Sequence, residues 1–245
     1  MKIIVSGKGG AGKSTVSAAL AKEFASRGKQ VMVVDNDESN YGLHSLLGLD
    51  FPEELMENFG GREEVFDEIE DLPEDISLAD LPEEYIVEED GLTLLAIGKI
   101  GEYGEGCACP MNFLSGEFLQ KLSLEDDEVL IVDMDAGVEH FGREVEEGID
   151  SILVVVDPTR ESIKLSQRIT DFAEEIDKPV YYILNKIEGE AEEIVTEELE
   201  EDRVIGVIPR LDGFYKAGLE GSPLNFEVGE VKELVDSFME ESPFF

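Results

Sequence analysis

The sequence predicts an α/β fold of three layers: a doubly wound, mostly parallel sheet covered by helices on both faces, with an acidic helical insertion at about residues 51–90. Three observations carry that prediction. Seven short β-branched runs recur along the 245 residues, helical stretches with a single apolar stripe separate them, and a glycine-rich turn joins the first run to the first helix. Runs that are apolar on both faces suit a parallel sheet, because its crossover helices cover both sides. The length suits one domain over residues 1–245.

In chain order, Lys2–Ser6 is the first strand. The following helix, Ser14–Arg27, places Val16, Leu20 and Phe24 on one face at a spacing of four. Val31–Asp35 is the second strand. Residues 51–90 differ in character, with 17 acidic residues against the single basic Arg62, and prolines at 52, 73 and 82. They read as short helices and turns on the edge of the sheet, their charge forming either a solvated face or a partner-binding surface. Strands Leu92–Ile97, Val129–Asp133 and Ile152–Asp157 follow. Helix Ser162–Ile176 carries an apolar stripe of Ile163, Leu165, Ile169, Phe172 and Ile176. Val180–Asn185 and Val204–Ile208 complete the sheet, and Gly229–Glu240 docks Val231, Leu234, Val235 and Phe238 on the core.

Charge excludes two classes of partner. With 19 basic and 59 acidic side chains the formal charge is 19 − 59 = −40, so nucleic-acid backbones and anionic membranes are repelled by the whole field of the protein. A hydrophobic content of 42% places that charge on the surface of a folded domain rather than in a disordered chain. The excess of glutamate over aspartate suits a hot or salty cytoplasm. Neither an export segment nor a membrane-spanning apolar run stands out, and the two cysteines, Cys107 and Cys109, are too close for a disulfide framework. A cytoplasmic location is expected.

Gly7-Lys8-Gly9-Gly10-Ala11-Gly12-Lys13-Ser14 fits G-x-x-x-x-G-K-[ST] between a strand and a helix. Glycines let backbone N–H groups point inward around phosphate oxygens, Lys13 neutralises the terminal phosphates, and the Ser14 hydroxyl can ligate Mg²⁺. Gly9, Gly10, Ala11, Gly12 and Thr15 are therefore candidate nucleotide contacts. The additional Lys8 makes the motif K-G-G-x-G-K-[ST], which resembles the deviant-P-loop ATPases of the MinD and partition type. That resemblance implies ATP as the nucleotide, and a Lys8 that reaches across a homodimer interface to the partner's nucleotide.

Two carboxylate motifs stand at strand ends. Asp35-Asn36-Asp37-Glu38 ends the second strand, where a carboxylate beside the P-loop can hold a water in line with the terminal phosphate. The resemblance assigns that catalytic role, with a share in the Mg²⁺ site, to Asp37, and leaves Asp35 supporting the loop from behind. Many relatives have Pro where this chain has Glu38. Asp133-Met134-Asp135-Ala136-Gly137 follows four apolar residues, as a magnesium-holding Walker B strand does, and the Gly137 N–H can meet the γ-phosphate. Asn185 and the Ile208-Pro209-Arg210 turn lie where the resembled class builds its adenine pocket, although Asn185 read alone serves equally well as a helix cap. No Asp stands two residues after Lys186, as a guanine-selective motif would require.

The cysteine pair lies in Gly104-Glu105-Gly106-Cys107-Ala108-Cys109-Pro110. One C-x-C supplies two soft ligands where Zn²⁺ or square-planar Ni²⁺ takes four, and the only histidines are His44 and His140. A metal reading therefore needs a second copy of the pair across a two-fold axis. A redox dithiol and a buried packing pair remain as alternatives. Together with Asp133–Arg143 and Val156–Ser162, this motif resembles the CooC-type ATPases that assist nickel insertion into carbon monoxide dehydrogenase. Ala11 and Asp135 are conservative departures from the usual Val and Glu of that family. The resemblance implies nickel or zinc on Cys107 and Cys109 at a dimer interface and a nickel enzyme as partner; His140 reads more simply as part of its loop. A MinD or partition-type positioning ATPase and a nucleotide-gated redox carrier are the competing functions.

Overall fold

The structure is a computed structural model describing residues 1–62, 64–69, 73–100, 109–134 and 148–242. Its strands are β1 (Lys2–Gly7), β2 (Gln30–Asn36), β3 (Ile86–Glu89), β4 (Leu92–Ala96), β5 (Glu128–Met134), β6 (Ser151–Val156), β7 (Val180–Asn185) and β8 (Val204–Ile208). The helices are α1 (Lys13–Ser26), α2 (Leu43–Leu47), α3 (Val65–Glu68), α4 (Cys109–Lys121), α5 (Arg160–Glu175), α6 (Glu190–Glu198), α7 (Asp212–Glu220) and α8 (Gly229–Glu241). One eight-stranded sheet runs in the order β3-β4-β2-β5-β1-β6-β7-β8. Every neighbouring pair is parallel except β3 with β4.

Strand alternation divides the core in two. Ile3, Val5, Val31, Val33, Val129 and Ile131 point to the face covered by α1 and α8, where Leu20, Phe24, Leu234 and Phe238 are fully buried. Ile4, Met32, Val34, Leu130 and Val132 point to the other face, against Leu114 and Phe118 of α4 and Ile163 and Ile169 of α5. Each such Leu or Phe removed from water contributes roughly 1.5–3 kcal/mol, so both faces hold the sheet firmly. The same alternation fixes the direction of the acids at the strand ends. Asp35 on β2 and Asp133 on β5 are register partners and, as odd-numbered residues of strands whose odd positions meet α1, both turn toward the first helix.

The acidic stretch differs from its expected form in one respect. It contains short helices and turns, with 3₁₀ turns at Leu55–Phe59, Leu78–Asp80 and Glu83–Tyr85, but it ends in a strand. β3 forms a hairpin with β4 through Asp90 and Gly91, whose φ values are +53° and +78°. Two consecutive positive φ values are what a tight hairpin turn demands, and Asp-Gly is the pair that supplies them with little strain. Nor is the stretch only an edge feature, since Leu55, Met56, Phe59, Val65, Ile69 and Tyr85 join the core beside α4. Among the described residues no helix is long and apolar enough to cross a membrane.

Candidate nucleotide site and cysteine loop

The P-loop leaves the C-terminal end of β1, between β5 and β6, where an open parallel sheet offers a crevice. Its glycines are sterically required at two places. Gly7 has φ +142° and a Cβ there would lie 2.4 Å from the Val155 carbonyl oxygen, and Gly12 has φ +103° with a Cβ 2.5 Å from the Asn185 amide nitrogen. Inside the loop the Ala11 N–H donates to the Lys8 carbonyl at 3.0 Å. The end of β7 braces it from outside, with Asn185 Nδ2 donating to Ala11 O and Lys186 Nζ to Gly10 O, each at 2.7 Å. Asn185 is therefore no helix cap, for α6 begins after Gly189.

Two adjoining cavities open on this loop. The first, of about 410 Å³, is lined by Gly9, Gly10, Gly12, Lys13, Ser14 and Thr15 and is faced by Asp37 and Asn40. It has the length of P-loop and the cationic side chain that phosphates need. The second, of about 620 Å³, joins Thr15, Asn185, Lys186, Pro209 and Arg210 to the α7 side chains Phe214, Tyr215 and Leu219. A cleft with apolar walls and an amide group at its edge is suited to a base. The sequence reading brought Asn185, Pro209 and Arg210 here but missed α7. Its signal was Phe214-Tyr215 with Leu219 four residues after Tyr215, and Tyr215 and Leu219 are each 72% exposed beside the cleft.

The carboxylates lie against the P-loop helix. Asp133 is fully buried, Oδ1 accepts from Ser17 Oγ at 3.0 Å and Oδ2 has no hydrogen-bond partner among the described residues. Burial, and then the neighbouring Asp35 charge, push its carboxyl up to about 7, against the opposing effects of the Ser14 hydroxyl, Lys13 and Ser17. Burial likewise raises Asp35 to about 6, against the pull of Lys99, whose Nζ lies 2.7 Å from Asp35 Oδ1. Asp37 Oδ1 accepts from the Ser39 N–H (3.0 Å), the Ser39 hydroxyl (2.8 Å) and the Asn40 N–H (3.1 Å), while Asn40 Nδ2 donates to Ser14 Oγ at 2.7 Å. An orphaned buried carboxylate oxygen near the Ser14 hydroxyl is a hard oxygen donor set that fits Mg²⁺. Neutralisation by a cation would relieve both crowded acids at once.

Lys8 is held within its own chain. Its ammonium lies 3.5 Å from Asp157 Oδ2 and 3.2 Å from Thr159 Oγ1, and Thr159 in turn donates to Asp157 at 2.6 Å. At 3.5 Å the contact is at the long end of a hydrogen bond, so a partner's phosphates could compete for the lysine. Cys107, Gly137 and His140 lie outside the described residues. Cys109 is the first residue of α4 and is oxidised, in a disulfide. Among the described residues no group of three metal-ligating side chains converges.

The profile of the CobQ/CobB/MinD/ParA nucleotide binding domain matches residues 2–86 and 113–224. An uncharacterised ATP-binding protein of Methanocaldococcus jannaschii is 49% identical, the match covering 96% of this chain and 98% of the relative. The carbon monoxide dehydrogenase accessory protein CooC of Rhodospirillum rubrum is 32% identical, over 76% of this chain and 74% of its own. Among solved structures, the septum site-determining protein MinD of Pyrococcus horikoshii, complexed with Mg-ADP, superposes with a TM-score of 0.72 over 99% of this chain and 95% of its own. At 20% identity that likeness speaks for the fold alone.

Proposed function

The chain belongs to the CobQ/CobB/MinD/ParA nucleotide-binding family, and on that premise we propose that it is a dimeric, magnesium-dependent ATPase that uses its nucleotide cycle to capture and release nickel or zinc for a nickel enzyme such as carbon monoxide dehydrogenase. The observation that carries the ATPase part is the braced P-loop with Lys13 and Ser14 facing Asp37 across one cavity. In this reading Gly9 to Thr15 bind the phosphates and Thr15, Asn185, Pro209 and Arg210 take the base. Ser14, Asp133 and Asp37 would hold Mg²⁺ directly or through water, and the ion would supply charge neutralisation between the terminal phosphates. Asp37, its Oδ1 occupied by the Ser39 and Asn40 donors, has its second oxygen to orient the attacking water. Gly137 would meet the γ-phosphate through its N–H. Lys8 would exchange Asp157 for the partner subunit's nucleotide, so that ATP closes the dimer.

The metal-delivery part is supported by the Cys107-Ala108-Cys109 pair and by the likeness to CooC. Two thiolates from each subunit make a set of four, and both must be reduced to bind. A cytoplasmic location goes with this reading, because thiols stay reduced there. A positioning ATPase of the MinD or partition type is the second reading, supported by the fold likeness and by the shared family. A charge of −40 opposes the DNA or anionic membrane such a protein would need to grip.

Metal analysis of anaerobically reduced protein separates the two. The metal-delivery reading expects one nickel or zinc per dimer. Replacing either Cys107 or Cys109 by Ser should collapse affinity rather than halve it, with ATP binding intact. Metal at one equivalent per monomer with full affinity in the single variants, or no metal bound at all, would overturn it.

A further inference from the structure

The nucleotide site contains a buried cation that no motif announces. Lys99 follows β4, its side chain is only 1% exposed, and its ammonium has three close acceptors. Asp35 Oδ1 lies at 2.7 Å, the Asp37 carbonyl oxygen at 2.6 Å and the Asn40 carbonyl oxygen at 2.6 Å. An ammonium has three N–H donors, so this set saturates it. Asp35, itself 2% exposed, supplies the counter-charge that lets a lysine be buried here.

The main chain around Lys99 is tied to the same loop. Beyond the end of β4, the Ile97 N–H donates to Asp35 O at 3.1 Å and the Ile100 N–H to Glu38 O at 2.9 Å. Two contacts anchor the segment from the other side. The Lys99 N–H donates to Glu54 Oε2 at 3.0 Å and its carbonyl accepts from Arg62 at 2.8 Å. The segment then runs on to Cys107, eight residues after Lys99.

We propose that Lys99 is a positioning residue: it holds the Asp37–Asn40 turn in the orientation that aims Asp37 at the phosphate cavity, and it joins that turn to residues 97–100 beyond β4. The two carbonyls it holds sit at either end of the turn whose amides grip Asp37 Oδ1. Without the ammonium both carbonyls lose their donor inside a buried site and the turn must re-form elsewhere. A displacement of the turn at the nucleotide therefore pulls on residues 97–100, and one of residues 97–100 pulls on Asp37. This rests on the reading of Asp37 as the residue that orients water.

Two variants test it. Lys99→Met strands the Asp35 charge and risks misfolding; Lys99→Met combined with Asp35→Asn removes both charges and keeps the volume. In the double variant kcat for Mg-ATP hydrolysis should fall about a hundredfold while ATP affinity stays within about threefold, because a misaimed group costs turnover rather than binding. Amide exchange should accelerate together, by about tenfold, at Ser39, Asn40 and Ile100. A folded double variant with wild-type kcat, or with unchanged exchange at these three amides, would overturn the proposal. If the wild type hydrolyses no ATP, the ATPase reading fails by itself, and the exchange measurement still decides whether Lys99 binds the two segments together.

Discussion

Replacing Asp133 by Asn should stabilise the magnesium-free protein above neutral pH while abolishing its magnesium-dependent activity. The carboxyl has an ordinary value of 3.8 and is pushed to about 7 in the folded protein. Across that window the folded protein keeps a proton that the unfolded chain gives up, so this group's contribution to stability is complete below pH 3.8 and is lost as pH rises through about 7. At 1.36 kcal/mol per pH unit, the cost approaches a ceiling of about 4 kcal/mol at pH 8. Asn keeps the Oδ1 acceptor used by Ser17 but brings a buried NH₂ in place of the orphaned Oδ2; an unpaired donor costs about 1–3 kcal/mol. The net gain at pH 8 is then about 1–3 kcal/mol, or about 2–12 °C in Tm at roughly 2–4 °C per kcal/mol for a chain of this size. At pH 5 the linkage cost has fallen to about 1.6 kcal/mol, comparable with the cost of the Asn amide itself, so the advantage should largely disappear. Thermal unfolding in chelator at the two pH values measures the difference directly. Added Mg²⁺ should raise the wild-type Tm at pH 8 and leave the variant unmoved, since only the native wild type has the ligand. If the variant is destabilised equally at both pH values, the carboxyl is not held neutral by burial, and the electrostatic basis for placing Mg²⁺ there is wrong.

Other substitutions separate binding from turnover. Lys13→Ala should abolish tight ATP binding, whereas Asp37→Ala should bind ATP normally and hydrolyse it at least about a hundredfold more slowly, trapping a closed dimer; nucleotide titration and single-turnover hydrolysis measure the two effects, and a wild-type rate in Asp37→Ala would remove that residue from the chemistry. Gly12→Ala forces a side chain into φ +103° and against Asn185 at 2.5 Å, so it should break the Asn185–Ala11 bond, lower Tm by several degrees and weaken ATP binding by about tenfold or more. Two subunits of charge −40 repel one another, so sedimentation should show a dimer that strengthens with salt and again with ATP or metal. A monomer under all these conditions would remove both the partner-directed Lys8 and the shared metal.

The strands were legible because each is a short β-branched run apolar on both faces, and the seven expected runs coincide with β1, β2 and β4 to β8 within a residue or two. β3 was not read, although Asp90-Gly91 is a strong hairpin signal, because two of its four residues are acids inside a stretch dominated by acids. The P-loop was legible for a related reason. Its glycines are imposed by local sterics, at Gly7 against Val155 and at Gly12 against Asn185, and steric demands of that kind leave a fixed spacing in the chain.

Lys99 and α7 show what such spacing cannot reveal. A lysine after an apolar strand carries no local mark of being buried; Asp35, Asp37 and Asn40 make it so, from a segment some sixty residues earlier. Phe214 and Tyr215 border the base cleft only because β8 lies at the end of the sheet beside β7. The raised carboxyls of Asp35 and Asp133 likewise exist only once β2 and β5 pair in register and α1 closes over them. Sequence by itself determined the strands, the phosphate loop and the identity of the acids at the strand ends, since these follow from side-chain periodicity and backbone sterics over a few residues. Burial, charge coupling and the bracing of one loop by another were decided by the tertiary structure, because they depend on distances between residues that the chain order keeps far apart.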